Sequence, residues 1–285
     1  MFFTGISDEA GKPIAAQITA HKELGWDYLE LRSVDGTGAA ALSDAAFSSV
    51  ADALSAAGLK VSCLAGAIAN WSRPITSDFQ TDIDELKRSI ERMRVLGTRF
   101  VRVMSYPNDP EQPLPEDAWR TEAIRRMKIL AEMAEDGGIT LVHENCSGWG
   151  GLSAENSKVL LGEVASPALK LVYDTGNPVT YGQDAWAYYQ DVVDDIAYVH
   201  IKDAKTVDGE HVYTYCGEGE GCVREIVADL LRRGYDGGFS IEPHLAAVIH
   251  TGQEADSAAQ QYGAYTEYGR RFMRLVEEAQ AAAES

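Results

Sequence analysis

Cysteine is scarce in this chain of 285 residues, which contains only Cys63, Cys146, Cys216 and Cys222. None of them forms a C-x-x-C pair, so the pattern excludes a zinc ribbon and a disulfide-rich scaffold. Cys216 and Cys222 are close enough in sequence to pair, but free thiols are the expectation for a cytoplasmic chain. Cys146 lacks an evident base partner, and we expect it to pack near other side chains rather than to act as a nucleophile.

Basic residues are also few, with 25 Lys and Arg against 44 Asp and Glu and a net charge of −19. A surface of that charge repels phosphate backbones and anionic membranes. The densest basic stretches, RSIERMR and RTEAIRRMK, have the pattern of solvated faces of amphipathic helices. The composition therefore argues against nucleic acid as a partner.

Long apolar runs are missing, since no segment reaches the roughly 18 residues that a membrane-spanning helix needs. The N-terminal segment MFFTGISDEA lacks the basic region and apolar stretch of a secretory signal. We therefore expect a cytoplasmic protein that does not contact membranes. With 45% hydrophobic and 24% charged residues, the chain is long enough for one large domain with a substantial core.

Apolar strand-like runs alternate with helical patterns along the whole chain. Helical segments separate the runs, and the last of them covers roughly residues 254–280. Several helical segments are followed by a glycine, which readily adopts the left-handed backbone conformation that often ends a helix. These glycines are Gly25, Gly58, Gly97, Gly137 and Gly234. The strand candidates centre on FFTGI, YLELR, KVSCLA, RFVRVM, TLVHEN, LKLVYD, AYVHIK and GFSIEP. Eight strand–helix units predict an α/β fold, a (β/α)8 TIM barrel in a single domain over residues 1–285.

Four metal-competent side chains stand at the carboxyl ends of the last four strand candidates. They are Glu144 in LVHEN, Asp174 in LVYDTGN, His200 in YVHIKD and Glu242 in FSIEPH. Active sites of parallel barrels lie at that end, where the βα loops emerge. Three carboxylates and one imidazole suit Mn²⁺, Mg²⁺, Co²⁺ or Zn²⁺. A single strand-end carboxylate often caps the next helix, but four such residues on consecutive strands predict one metal site.

These motifs resemble the xylose isomerase-like TIM barrel superfamily, particularly its sugar isomerase and epimerase branch. The resemblance covers nearly the whole chain and includes ISDE, ELGWDYLELR and GYDGGFSIEPH. It implies that Glu144, Asp174, His200 and Glu242 bind one divalent cation, with Mn²⁺ as the first expectation. It also implies that Glu144 and Glu242 are the catalytic acid and base that move a proton through an enediolate of a sugar or cyclitol. Homo-oligomers are common in this family.

Two positions depart from the pattern of the ketose 3-epimerases. Asn177 stands three residues after the metal-binding Asp, where many relatives carry His, and Thr206 replaces an Arg. Lys202, in HIKDA, resembles the corresponding residue of inosose dehydratase-like members. A second hypothesis is therefore a lyase or dehydratase that acts on a keto-sugar, a keto-inositol or a 3-keto-glycoside.

Substrate contacts are predicted from side chains near the ligands. Asn177 can donate and accept hydrogen bonds, and Lys202 lies two residues after His200, on the same strand face. His244 points the same way as Glu242 if the last strand continues. Trp149 and Trp71 fall in βα loops and offer a flat surface for a sugar ring, although packing in the protein interior is the alternative. The candidate substrate contacts are therefore Asn177, Lys202, His244, Trp71 and Trp149.

Two further motifs have structural alternatives. Glu30 and Arg32 could line the floor of the pocket or form an internal ion pair. The glycine-rich segment CGEGEG lacks the Lys-Ser/Thr ending of a nucleotide-binding loop, and Glu218 and Glu220 would repel an anion. We expect this segment to be a turn.

Overall fold

The computed structural model describes residues 1–246, 255 and 257–283, and in this part of the chain eight parallel strands alternate with helices. The barrel strands are β1 (Phe2–Gly5), β2 (Tyr28–Leu31), β3 (Lys60–Leu64), β4 (Phe100–Ser105), β5 (Thr140–Gly148), β6 (Leu169–Asp174), β7 (Ile196–Ile201) and β8 (Gly238–Ile241). The helices are α1 (Ile14–Glu23), α2 (Asp44–Ala57), α3 (Gln80–Leu96), α4 (Glu116–Gly137), α5 (Ala154–Val164), α6 (Asn177–Thr180), α7 (Ala185–Val192), α8 (Val223–Arg232) and α9 (Ala258–Ala283).

The strands pair in the order β1–β8–β7–β6–β5–β4–β3–β2, each parallel to its neighbours. A bridge between Ile6 and Glu30 brings β1 to β2, so the ring is nearly closed. Because all eight strands run the same way, their carboxyl ends gather on one face. The predicted single-domain (β/α)8 barrel is confirmed, with all eight predicted strands in place.

An apolar floor lies inside the barrel beneath the predicted ligands. Side chains two residues apart share a strand face, so each predicted ligand on β5, β6 and β7 follows a floor residue by two positions. The floor residues are Val142, Val172 and Tyr198, which form one buried cluster with Cys63. The polar chemistry is thereby confined to the carboxyl end of the barrel.

Helix ends agree with the glycine pattern except at α4. Four of the predicted glycines have positive φ angles, namely Gly25 (72°), Gly58 (67°), Gly97 (70°) and Gly234 (80°). The prediction for Gly137 is wrong by one residue, because Gly137 is the last residue of α4 and the left-handed cap is Gly138, whose φ is 68°. Consecutive glycines offer the chain two possible stops, and the helical hydrogen bonds extend to the second.

Three elements of the βα loops were not predicted. Two are antiparallel hairpins, one joining Ser33–Val34 to Thr37–Gly38 and the other joining Asp203–Val207 to Glu210–Thr214. The third is the short helix α6. Of the predicted final helix, residues 254 and 256 lie outside the described residues, Ala255 and Ser257 are described but not helical, and α9 begins at Ala258.

The four cysteines all lie within the described ranges and are free thiols, as expected. No helix there combines the length and the apolar character that crossing a bilayer requires.

Candidate metal centre

Glu144, Asp174, His200 and Glu242 converge at the carboxyl end of the barrel. Each offers a potential ligand atom, and these four atoms lie within 4.8 Å of one another. All four residues are buried, with at most 3% of their surface exposed. Because β5, β6, β7 and β8 are neighbours in the ring, parallel pairing brings their ends together; Asp174, for example, pairs in register with His200.

The His200 imidazole is oriented by Glu30, at the end of β2. The Nε2 atom of His200 lies 3.2 and 3.1 Å from the two carboxylate oxygens of Glu30. Ser240 Oγ donates to Glu30 Oε2 at 2.6 Å, and Glu30 is fully buried. In the neutral imidazole, Nε2–H donates to Glu30 and the lone pair resides on Nδ1, which faces Glu144 and Glu242 at 3.7 and 3.9 Å. A carboxylate in this position sets the tautomer of a metal-binding histidine.

The Asp174 carboxylate divides its two oxygens between the backbone and the cluster. Its Oδ1 accepts hydrogen bonds from the backbone N–H groups of Gly176 and Asn177, both at 2.8 Å. Its Oδ2 lies 2.8 Å from Lys202 Nζ. The Asn145 side chain bridges the strands, since it donates to Asp174 O and accepts from Asp174 N. These bonds leave Asp174 little freedom to turn away from the cluster.

Three basic side chains hold the two glutamates, of which Arg102 and Lys202 are buried and Arg32 is partly buried. Arg102 Nη1 lies 3.3 Å from Glu144 Oε2. Arg32 Nη1 donates to Glu242 Oε1 at 3.2 Å, and Lys202 Nζ donates to Glu242 Oε2 at 3.0 Å. Each glutamate is therefore fixed by a cation in a region shielded from solvent, where charged hydrogen bonds are strong.

The same cations determine the charge state of the glutamates. Burial raises the pKa of Glu144, but the nearby Arg102 and His200 outweigh that effect and lower this pKa to about 2. Burial likewise opposes ionisation of Glu242, yet Lys202 and other cations hold its pKa well below the usual value. Both glutamates are therefore ionised near neutral pH and can accept a proton or bind a cation.

Asp174 and His200 shift the other way and favour their protonated forms. Burial raises the pKa of Asp174 to about 6, although Lys202 partly opposes this. Burial lowers the pKa of His200, but Glu30 and Glu144 outweigh it and raise this pKa well above its ordinary value. Without a metal ion His200 therefore keeps its proton near neutral pH, because the carboxylates of Glu30 and Glu144 attract positive charge.

The donor atoms fit a divalent cation. Three of the donor atoms are buried and lack a hydrogen-bond partner among the described residues, namely Glu144 Oε2, Asp174 Oδ2 and His200 Nδ1. Arg102 lies within ion-pair distance of the Glu144 atom, and Lys202 lies within ion-pair distance of the Asp174 atom. Such buried atoms are uncommon in folded proteins and call for an explanation such as a bound ion. An oxygen-rich set with one imidazole matches the preferences of Mn²⁺, Mg²⁺, Co²⁺ and Zn²⁺.

Three of the five predicted substrate contacts lie beside the cluster. Asn177, Lys202 and His244 line the same cavity as Glu144. Asn177 Nδ2 donates to Glu144 Oε1 at 3.1 Å. His244 has a φ of 52°, and its Nδ1 lies 2.8 Å from Glu9 Oε1. The strand does not continue in extended form to His244, but its turn still directs the imidazole toward the site.

Trp149 does not join this group, contrary to expectation. After β5 the chain folds into the 3-10 turn Trp149–Gly151, and the indole packs toward α4 with only 3% of the residue exposed. Its Nε1–H donates to Glu116 Oε1 at 2.6 Å, and the Arg120 guanidinium lies 5.8 Å from the ring centre. Trp71, in contrast, is 45% exposed and lines the cavity.

Sequence reasoning left the roles of Glu30 and Arg32 open and missed three other charged residues of the site. Arg32 lies 2.9 Å from Asp8 and 3.4 Å from Glu9, whereas Glu30 contacts His200, so the E-x-R motif is not an ion pair. Asp8 and Glu9 belong to the ISDE motif. Arg102 stands alone inside an apolar strand. A lone charge in an otherwise apolar run was the available signal, because burying it requires a partner.

The CGEGEG segment forms turns, as expected, and it encloses a carboxylate of the chain itself. The backbone N–H groups of Gly217, Gly219 and Gly221 donate to the Asp203 carboxylate at 2.8, 3.0 and 2.9 Å. The amides that could otherwise cradle a phosphate are thus occupied by Asp203. This contact explains the glycines at positions 219 and 221, because a Cβ at either position would overlap the Asp203 carboxylate.

The comparison with known families agrees with this architecture. Residues 18–268 match the family model of the xylose isomerase-like TIM barrel. The chain belongs to the xylose isomerase-like TIM barrel family. Members of this family with solved structures include a xylose isomerase-like TIM barrel protein from Mycobacterium smegmatis in complex with magnesium. It superposes with a TM-score of 0.69 at 21% identity, over 98% of this chain and 97% of that one. At that identity the likeness shows the shared fold.

Curated relatives of this xylose isomerase-like chain include an epimerase and a dehydratase. It is 28% identical over 163 residues to fructoselysine 3-epimerase from Shigella flexneri, covering 56% of this chain and 58% of that protein. It is 26% identical over 169 residues to inosose dehydratase from Geobacillus thermodenitrificans, covering 54% and 56%. The chain therefore spans little more than half the length of these relatives.

Proposed function

We propose that the protein is a divalent-metal-dependent isomerase or epimerase of a sugar or cyclitol. It would remove a proton from the carbon next to a carbonyl and return one. The observation that carries the proposal is the convergence of two buried, ionised glutamates, Glu144 and Glu242, with Asp174 and His200 on one cavity. The names of the relatives support a substrate of this class, since one is a fructoselysine epimerase and another an inosose dehydratase.

Glu144, Asp174, His200 and Glu242 would hold the cation, and we propose Mn²⁺, with Mg²⁺, Co²⁺ and Zn²⁺ as alternatives. When bound, the cation would polarise the substrate carbonyl and offset the negative charge that develops as the neighbouring C–H bond breaks. Glu30 prepares His200 for this task through the hydrogen bond to its Nε2.

Glu144 and Glu242 would carry the proton. Glu144 lies on β5 and Glu242 directly follows β8, and two strands of the ring separate β5 from β8, so the two carboxylates would reach the substrate from different sides. One carboxylate takes the proton while the C–H electron pair moves toward the carbonyl oxygen. The opposite glutamate would first take a proton from solvent in the cavity. It would then deliver this proton to the other face of the carbon and so invert its configuration. Asn177, Lys202 and His244 would bind substrate oxygens.

A metal-dependent lyase or dehydratase on a keto-sugar, keto-inositol or 3-keto-glycoside is the second candidate. The same deprotonation would then form a C=C bond as the C–O bond at the β carbon breaks. The observation that favours it is the position of Lys202, whose ammonium lies 3.0 Å from Glu242 and 2.8 Å from Asp174. An ammonium beside the proton-accepting carboxylate can protonate the departing oxygen.

Proton exchange in D2O tests the assignment. In the Mn²⁺-loaded protein, Glu144→Gln and Glu242→Gln should each slow deuterium incorporation next to the carbonyl by about 100-fold or more, since acid–base catalysis contributes about 10²–10⁴-fold. Glu111→Gln, at an exposed position, is the matched control and should behave as wild type. Unchanged turnover in both site variants would contradict the assignment. Loss of water or of an aglycone would identify the lyase.

A further inference from the structure

The hairpin of residues 203–214, which follows β7, presents an aromatic side chain to the cavity. Its inner pair is Tyr213 with Ala204, and Ala204 is fully buried. The neighbouring pair, Val212 with Lys205, is exposed. Because successive side chains of a strand point to opposite faces, Tyr213 lies on the face of the hairpin that is turned toward the barrel.

Hydrogen bonds at the base of the hairpin hold it in place. The Asp203 carboxylate accepts three backbone N–H groups of the CGEGEG segment. The backbone N–H of Glu220 donates to Ala204 O at 2.7 Å, and Glu220 Oε2 accepts from the N–H of Thr206 at 3.2 Å. Since Tyr213 pairs with Ala204 at this base, its ring has a defined position relative to β7.

The Tyr213 ring forms part of the cavity wall beside the proposed metal ligands. It meets the His244 imidazole edge-on, with the ring centres 5.0 Å apart and an angle of 81° between the ring planes. Tyr213 lines the same cavity as Glu144 and Glu242. Its hydroxyl is close enough to Lys202 and Glu242 for both charges to act on it. The phenol therefore lies on the side of the cavity where Glu242 stands.

The Tyr213 hydroxyl has no hydrogen-bond partner among the described residues. Burial raises the pKa of Tyr213 above its ordinary value, although the Lys202 ammonium opposes this, so the O–H keeps its proton near neutral pH. Neighbouring donors already have acceptors, since Lys202 Nζ donates to Glu242 at 3.0 Å and Asn177 Nδ2 donates to Glu144 at 3.1 Å. A substrate that displaces water from Tyr213 has to supply an acceptor, because an unpaired buried hydroxyl is costly.

We propose that Tyr213 determines specificity for a polyhydroxy substrate, because its hydroxyl donates a hydrogen bond to a substrate hydroxyl on the Glu242 side of the cavity. The bond forms when the substrate enters and persists through the reaction. It orients the substrate relative to Glu242 and takes no part in proton transfer. This inference rests on the proposed function, since it assumes that a sugar or cyclitol binds between Glu144 and Glu242.

Two ketones serve as probes of the Mn²⁺-loaded protein, namely the cyclitol 2-keto-myo-inositol and the ketose D-fructose. Deuterium incorporation next to the carbonyl in D2O is followed by mass spectrometry. Tyr213→Phe keeps the ring against His244 and removes only the hydroxyl. We expect KM for the exchanged probe to rise about 3–10-fold, the value of one hydrogen bond between neutral groups, and kcat to stay unchanged.

Tyr215→Phe is the matched control. Tyr215 lies two residues further along the chain, and the Arg271 guanidinium lies 3.7 Å from its ring centre. It does not line the cavity, so loss of its hydroxyl should change neither KM nor kcat.

Monodeoxy analogues of the exchanged probe locate the contact, because each lacks one hydroxyl. For one analogue, the wild-type protein should show a KM that is about 3–10-fold higher than for the parent probe. Tyr213→Phe should add no further rise for that analogue, since the bond is already missing. For the other analogues, the effect of Tyr213→Phe should be the same as for the parent probe.

Titration with Co²⁺ against a competing chelator gives a readout that is independent of turnover, and Tyr213→Phe should bind Co²⁺ with wild-type affinity. Weaker Co²⁺ binding would overturn the inference, since that result reports a structural role. An unchanged KM, a loss in kcat alone, or an equal effect of the variant on every analogue would overturn it and leave the proposed function standing. No deuterium incorporation into either probe by the wild-type protein with metal bound would overturn the proposed function and the inference with it.

Discussion

Replacement of Glu30 by glutamine tests how the metal centre is assembled. The carboxylate lies 3.1–3.2 Å from His200 Nε2 and accepts a bond from Ser240 Oγ at 2.6 Å, in a fully buried position. Gln has the same shape but carries no charge, and its amide can present an N–H to His200 instead of an oxygen. The variant should therefore fold and yet bind a divalent cation more weakly.

The expected loss is about 10–100-fold in metal affinity, as for other partners of metal-binding histidines. A hydrogen bond to a charged group contributes about 1.5–3 kcal/mol and a neutral one about 0.5–1.5 kcal/mol. The difference of roughly 1–1.5 kcal/mol alone gives about a tenfold loss. Removal of one negative charge near the cation, and a weaker preference of His200 for the tautomer with a free Nδ1, act in the same direction.

Titration with Co²⁺ against a competing chelator measures the affinity, and the visible absorption of bound Co²⁺ reports the coordination. Ser240→Ala is the matched control, because it removes one neutral partner of Glu30 but keeps the charge; its loss should stay below about tenfold. Unchanged affinity and an unchanged Co²⁺ spectrum in Glu30→Gln would refute the reasoning that Glu30 orients His200. Far-ultraviolet circular dichroism checks that both variants are folded.

Four other measurements follow from the structure. Metal binding should stabilise the fold, by about 2.7 kcal/mol at a free concentration of 100 Kd, and a chelator should reverse the rise in melting temperature. Because the pKa of His200 is raised in the metal-free protein, cation binding near pH 7 should release about one proton. Calorimetry would detect the proton as a binding enthalpy that depends on the buffer, and a buffer-independent enthalpy would contradict the protonated state of His200. Burial lowers the pKa of His21 to about 4, so the unfolded chain binds more protons between pH 6.5 and 4. His21 should therefore cost stability as the pH falls through that window, by up to about 3 kcal/mol, and His21→Gln should flatten the dependence in denaturant titrations. Gly219→Ala should destabilise the fold by about 1–3 kcal/mol through overlap with Asp203, whereas Gly162→Ala, with open space around the new Cβ, should be neutral or stabilising.

Much of the candidate metal centre could be predicted before the fold was known. Parallel strands place their carboxyl ends on one face, and side chains alternate along a strand with a period of two. Those two regularities are local. The position of Asp174 after LVY, or of His200 after YV, therefore indicates at which end of its strand and on which face of the strand the side chain lies. Helix ends are local in the same sense, and only the choice between Gly137 and Gly138 was missed.

The partners of those residues were decided by tertiary structure. Glu30 contacts His200 across the barrel because the ring closes near β2, and Arg102 meets Glu144 because β4 pairs with β5. Trp149 has the loop position of a substrate contact, yet the turn after β5 carries its ring into the core. The sequence by itself determined the barrel and the convergence of the four predicted ligands, since both follow from short-range periodicity. Which charges pair, which aromatic ring remains in the cavity and how large that cavity is depend on contacts between distant segments, and only the folded chain establishes these.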